Sequence, residues 1–117
     1  MTAMTLYHNP RCSKSRSALQ LLEDRGHSPT IVRYLETPLS APQLQTLLDK
    51  LGIGPRQLLR TGEDEYKTLG LNDPQLTDAQ LIAAMVEQPK LIERPILVVG
   101  DKAVIGRPPE NVLEILP

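Results

Sequence analysis

At 117 residues the chain is long enough for one domain that buries roughly 65% of its unfolded surface and too short for two of ordinary size, so a single domain over 1–117 is expected. Its 13 Lys and Arg against 14 Asp and Glu leave a net charge of -1, and it has no Phe, no Trp and only three Tyr; it has neither the basic field nor the stacking surface that nucleic acid needs. One cysteine excludes an intramolecular disulfide, no Cys/His spacing suits zinc, and no segment reads as a signal peptide or membrane span. No metal, no membrane association, a reducing cytoplasmic setting and a monomer are therefore expected, with a core of Leu, Ile, Val, Met and Ala.

In chain order, Met4 to Tyr7 reads as a short strand. Ser13 to Arg25 reads as a helix, with Ala18, Leu19 and Leu22 at helical spacing and Gly26 as its stop. The β-branched and aromatic run Thr30 to Tyr34 predicts a second strand. Ser40-Ala-Pro-Gln43 fits a capping box, and Leu44, Leu47, Leu48 and Leu51 form an apolar helical stripe ending at Gly52. A short helix over Pro55 to Arg60 is followed by a loop-rich stretch, Thr61 to Pro74, with a turn near Tyr66. Thr77-Asp-Ala-Gln80 repeats the capping box for a helix that Pro89 stops. Ile96 to Val99 and Lys102 to Ile105, joined by Gly100-Asp101, carry the strongest hairpin signal, and Pro108 to Leu116 suggests a terminal helix. This order predicts an α/β sandwich around a mixed four-stranded sheet.

Cys12 falls at the start of the first helix, in Leu6-Tyr-His-Asn-Pro-Arg-Cys12-Ser-Lys-Ser-Arg16. A free cysteine often packs as a small hydrophobe, but Arg11, Ser13, Lys14, Ser15 and Arg16 are hard to bury with it. A helix N-terminus stabilises thiolate over thiol, and His8, Arg11 and Lys14 add positive charge. The local chemistry favours a nucleophile.

The segments Tyr7-His-Asn-Pro-Arg-Cys12, Tyr34-Leu-Glu-Thr-Pro38, Leu58-Leu-Arg60, Arg94-Pro-Ile96 and Gly106-Arg-Pro108, in this order, resemble the glutaredoxin-coupled arsenate reductase family, a thioredoxin-fold group. The resemblance implies a thioredoxin-like sandwich with a helical insertion. It also implies that the Cys12 thiolate attacks arsenate to give a covalent adduct, which glutathione and glutaredoxin resolve to release arsenite, with no bound cofactor and glutathione as co-substrate. Arg60, Arg94 and Arg107 match the family's oxyanion-binding arginines, and planar guanidinium forks suit a tetrahedral polyanion. His8 matches a histidine near the nucleophile, where a protonated imidazole would favour thiolate. Ser15 stands where a Cys-x-x-Cys oxidoreductase carries its second cysteine; its hydroxyl is expected to bond the Cys12 thiolate, and a second thiol must come from outside. Pro95 matches the proline that the fold holds in cis. Ser13-Lys14 and an end at Pro117 resemble a shorter, chromosomal branch, for which arsenate or a similar oxyanion is the expected substrate.

Three rivals differ in what they require. A phosphatase-like arsenate reductase needs arginine six positions after the cysteine, where Ala18 stands. A redox-sensing transcription regulator that binds RNA polymerase relies on Cys-x-x-Cys, which Ser15 interrupts, although protein binding survives that loss. A generic glutathione-dependent thiol oxidoreductase needs Cys12 but not three arginines.

Overall fold

Four short apolar runs pair into one sheet in the computed structural model, which describes residues 3–116. The strands are β1 (Met4–Tyr7), β2 (Thr30–Val32), β3 (Ile96–Val99) and β4 (Lys102–Ile105), in spatial order β2-β1-β3-β4. β1 and β2 are parallel, with Thr5 opposite Thr30 and Tyr7 opposite Val32. β3 runs antiparallel to both β1 and β4, with Leu6 opposite Leu97 and Ile96 opposite Ile105. This is the expected mixed sheet. All four residues of β3 are buried, as a central strand covered on both faces requires. Gly100 takes a φ of 61° in the two-residue β3–β4 turn, where a type II′ turn calls for glycine.

Helix α1 (Ser13–Asp24) connects β1 to β2. It buries Ala18 and Leu22 in a cluster with Leu6, Leu97, Val99 and Val112, and Met4, Val104 and Leu113 pack around them. Each fully buried leucine there contributes about 1.5–3 kcal/mol. Val112 belongs to the last element, Pro109–Ile115, which is a 3-10 helix. The sequence pattern suggests an ordinary helix, but prolines at 108 and 109 supply no N–H, and the Asn111 N–H bonds the Pro108 carbonyl at 3.0 Å. That i to i−3 bond starts the segment tight. β2 also stops two residues early: the His8 N–H closes its ladder on the Val32 carbonyl, and the Glu36 and Thr37 N–H groups turn back onto Arg33.

These elements form one compact unit, made of the residues up to Thr37 and from Arg94 onward; residues Pro38–Glu93 form another. The second unit is the helical insertion between β2 and β3: α2 (Ala41–Leu51), α3 (Pro55–Leu58), α4 (Asp64–Thr68), α5 (Asp78–Glu87) and a 3-10 turn, Pro89–Leu91. Both capping boxes form, Ser40 with Gln43 and Thr77 with Gln80, and Gly52 ends α2 with a φ of 70°. Leu44, Leu48, Leu58, Leu81, Met85 and Leu91 are its fully buried side chains. The stretch 61–74 contains α4, absent from the sequence reading because it buries no residue and so has no apolar stripe. Asp64 and Glu65 in its first turn and Lys67 in its last complement the helix dipole.

Gly106 is a steric requirement. A Cβ there would lie 2.8 Å from Pro95 Cγ and 3.0 Å from Val112 Cγ1, and a proline ring cannot swing aside as a long side chain does. Gly106→Ala is expected to cost about 1–3 kcal/mol, read as a lower urea midpoint at unchanged m-value; an unchanged midpoint would refute this contact.

Candidate active site

Sheet register places two of the arginines at one end of the hairpin. Beyond the Ile96–Ile105 pair, the Gly106 N–H donates to the Pro95 carbonyl at 2.8 Å, so Arg94 and Arg107, one residue further along each strand, lie past the same end of the hairpin. β1 is antiparallel to β3 and ends at Tyr7, opposite Ile96. The loop carrying Cys12 therefore leaves from the same end of the sheet. The Arg94–Pro95 bond is cis, and so is Arg107–Pro108, where the sequence suggests only helix entry.

The loop from His8 to Cys12 is tied at several points. Asn9, which is buried, accepts the Arg11 N–H on its side-chain oxygen and the Cys12 N–H on its carbonyl, both at 3.0 Å. Arg16 reaches back to the Pro10 carbonyl at 2.9 Å. Cys12 is thereby fixed as the N-cap of α1, with extended φ and ψ of -93° and 124°. No oxygen caps this helix, and the sulfur sits where a serine hydroxyl or aspartate carboxylate commonly would.

Burial alone would raise the Cys12 pKa. It is outweighed by the backbone N–H of Ser15, the Arg94 side chain and the backbone N–H of Lys14, each hydrogen-bonding the sulfur, and by the Arg94 charge; the result lies below the ordinary thiol value. Arg94 is half-buried, and although burial alone would lower its pKa, the nearby Cys12 sulfur and Tyr34 hydroxyl raise it. Tyr34 itself is 1% exposed. Chemically, this is a thiol whose ionisation is favoured, with a guanidinium beside it.

The model of the "ArsC family" matches residues 7–115. The chain belongs to the ArsC family. Its relatives include the Escherichia coli (strain K12) protein YfgD, 56% identical over 95% of this chain and 94% of that protein. An arsenate reductase of Haemophilus influenzae is 51% identical over 97% of this chain and 99% of that one. The solved structure of an arsenate reductase from Vibrio cholerae is 52% identical, with a TM-score of 0.96 over 98% of both chains. The ArsC fold is thus the thioredoxin-like arrangement that the sequence suggests.

Within this ArsC chain, the two residues expected to stabilise the thiolate act differently from the sequence reading. The Ser15 hydroxyl is fully buried and engaged elsewhere: it contacts His8 Nδ1 at 2.7 Å and accepts the Asn9 N–H at 3.0 Å. Ser15 reaches Cys12 through its backbone N–H. His8 has its pKa lowered by burial first, then by the charges of Arg33 and Arg16, so the neutral ring is favoured, sharing a hydrogen bond with Ser15 through Nδ1. The expected imidazolium is disfavoured because the ring is buried and, second, because two guanidiniums already supply positive charge. The folded pKa being below the unfolded one, the neutral ring stabilises the fold above about pH 6.5, and that contribution fades as pH falls through the folded value. Ser15→Ala is expected to cost about 1–3 kcal/mol, since it orphans two buried groups; equal unfolding midpoints for variant and wild type would contradict this.

The remaining arginines are held in different ways. Arg107 has a buried Nε, and its carbonyl accepts from Asn111 Nδ2 at 3.1 Å. Arg60 lies in the second unit, 20% exposed, with Nε 3.2 Å from Glu63 and Nη1 3.8 Å from Glu93. Its N–H bonds the Leu91 carbonyl at 2.7 Å, next to a bridge between Leu59 and Ile92. The sequence reading missed these two carboxylates, as it missed Tyr34 and Asn9. Tyr34 and Asn9 stand inside the motifs Tyr34-Leu-Glu-Thr-Pro38 and Tyr7-His-Asn-Pro-Arg-Cys12, which were their only signal, and the two carboxylates had none. Among the described residues no helix is long and apolar enough to cross a membrane.

Proposed function

We propose that this chain reduces arsenate to arsenite with electrons from glutathione and glutaredoxin, through a Cys12 thiol–arsenate adduct. The observation that carries this reading is the Cys12 sulfur at the N-terminus of α1 with the Arg94 guanidinium on it and its pKa lowered; relatives named arsenate reductases supply the substrate. The thiolate attacks arsenic, an S–As bond forms, and one oxygen leaves as water. Glutathione then displaces a second oxygen, also as water. A glutaredoxin thiol attacks the glutathione sulfur; the new S–S bond leaves the electron pair of the broken S–As bond on arsenic, now As(III). Water cleaves arsenite from Cys12. Overall, arsenate and two thiols give arsenite, one disulfide and one water.

Arg94 and Arg107 are the groups that hold the arsenate oxygens and take up the charge developed on displacement. Arg60 enters this reading through its family motif alone. Ser15 in place of a second cysteine is the reason the resolving thiol is external. The test is arsenate-dependent oxidation of thiols with glutathione and glutaredoxin supplied; no rate above background would overturn the reading. Association with RNA polymerase in a pull-down, without turnover, would favour the regulator instead.

A further inference from the structure

A cleft of about 230 Å³ opens beside the thiol loop, bounded on one side by His8 to Arg11 and on the other by Arg33, Leu35 and Glu36. It lies beyond the carboxyl ends of the parallel strands β1 and β2, where α/β sheets commonly bind ligands. Its wall is joined to the thiol residue, since Asn9 accepts the Cys12 N–H. Its charges are of both signs: Arg33 Nη1 lies 3.9 Å from Glu36 Oε2, and both side chains are more than half exposed. An exposed pair of this kind contributes about 0–1 kcal/mol, so it exchanges partners readily. A simple dianion would meet Glu36 as well as the arginines, and a simple cation the reverse. A cation and an anion this close suit a ligand that carries a carboxylate and an ammonium on one carbon.

We propose that this cleft binds the γ-glutamyl end of glutathione, with its carboxylate on Arg33 and Arg11, its ammonium on Glu36 and its methylenes against Leu35, holding the tripeptide beside the loop that leads to Cys12. The inference rests on the glutathione-dependent reading above and assigns that reading a binding site. Four alternating charges then replace the exposed pair, and the Arg33 charge that disfavours His8 protonation acquires an anion.

The test uses the full chain, labelled with nitrogen-15 and titrated with S-methylglutathione, which cannot react. Amide shifts confined to residues 8–12 and 33–36, with binding about ten-fold weaker in Arg33→Ala and in Glu36→Gln, are the expected result. S-methylcysteinylglycine, which lacks the γ-glutamyl group, is expected to bind about ten-fold more weakly than S-methylglutathione. Shifts centred elsewhere, equal affinity of the variants, or the same shifts with inorganic phosphate would overturn the proposal. Because this binding is read without turnover, it stands or falls separately from arsenate reduction. In the coupled assay, Arg33→Ala is expected to raise KM for glutathione and leave KM for arsenate unchanged; an unchanged glutathione KM would overturn the assigned role.

Discussion

Cys12→Ser is expected to lose at least about 10³-fold in arsenate turnover while gaining slightly in stability. The two effects have opposite signs for one reason. Cys12 occupies the N-cap of α1, where no oxygen accepts the orphan N–H groups. Serine is among the preferred N-caps and adds up to about 1 kcal/mol, but its hydroxyl is not ionised near neutrality and attacks arsenic poorly. A coupled assay alongside thermal unfolding checks both halves. Turnover that survives would remove Cys12 from the chemistry, and a large loss of stability would mean that the missing rate reports unfolding instead.

Arg94→Ala is expected to raise the Cys12 pKa and to lower turnover near neutral pH by about 10²-fold or more. Arg94 acts on the thiol twice, through a hydrogen bond and through its charge, and both are lost together. Activity requires thiolate, so the rate rises with pH through the Cys12 pKa; the acid limb of the profile is expected to move toward the ordinary thiol value of about 8.5. Stability follows the same linkage. A depressed thiol pKa stabilises the fold above the unfolded value, and that contribution disappears as pH falls through the folded one, so the variant loses most under alkaline conditions. Ultraviolet thiolate absorbance against pH reads the shift directly. Arg94→Lys is expected to recover part of the pKa effect and little of the turnover, since an ammonium cannot hold two oxygens in a fork. An unmoved titration in Arg94→Ala would show that the N–H groups of Ser15 and Lys14 suffice.

Local chemistry explains which parts of this protein were legible in its sequence. Strands Met4–Tyr7, Ile96–Val99 and Lys102–Ile105 match their expected bounds because β-branched runs and a glycine turn are short-range signals. The helices capped by Ser40 and Thr77 begin where the capping boxes place them, for the same reason. Features that depend on distant partners were not legible. β2 ends when β1 runs out of residues to pair with, and Arg60 is paired by Glu93, far along the chain. The Ser15 hydroxyl goes to His8, seven residues away, and nothing in the spacing distinguishes that bond from one to the nearer thiol. The role of the buried Tyr34 hydroxyl beside Arg94 likewise joins residues sixty positions apart.

The hairpin at the other end of the sheet gives the turn Gly100-Asp101 a role beyond chain reversal. The level at which Arg94 and Arg107 leave the hairpin is set by the two-residue turn and by strands of equal length, which fix the Ile96–Ile105 pair. Side chains alternate along a strand, so one extra residue in that turn would pass every β4 side chain to the opposite face and shift Arg107 relative to Arg94 without altering either. The turn is a ruler: the levels of two charged residues at one end of the sheet are measured out by a glycine at the other.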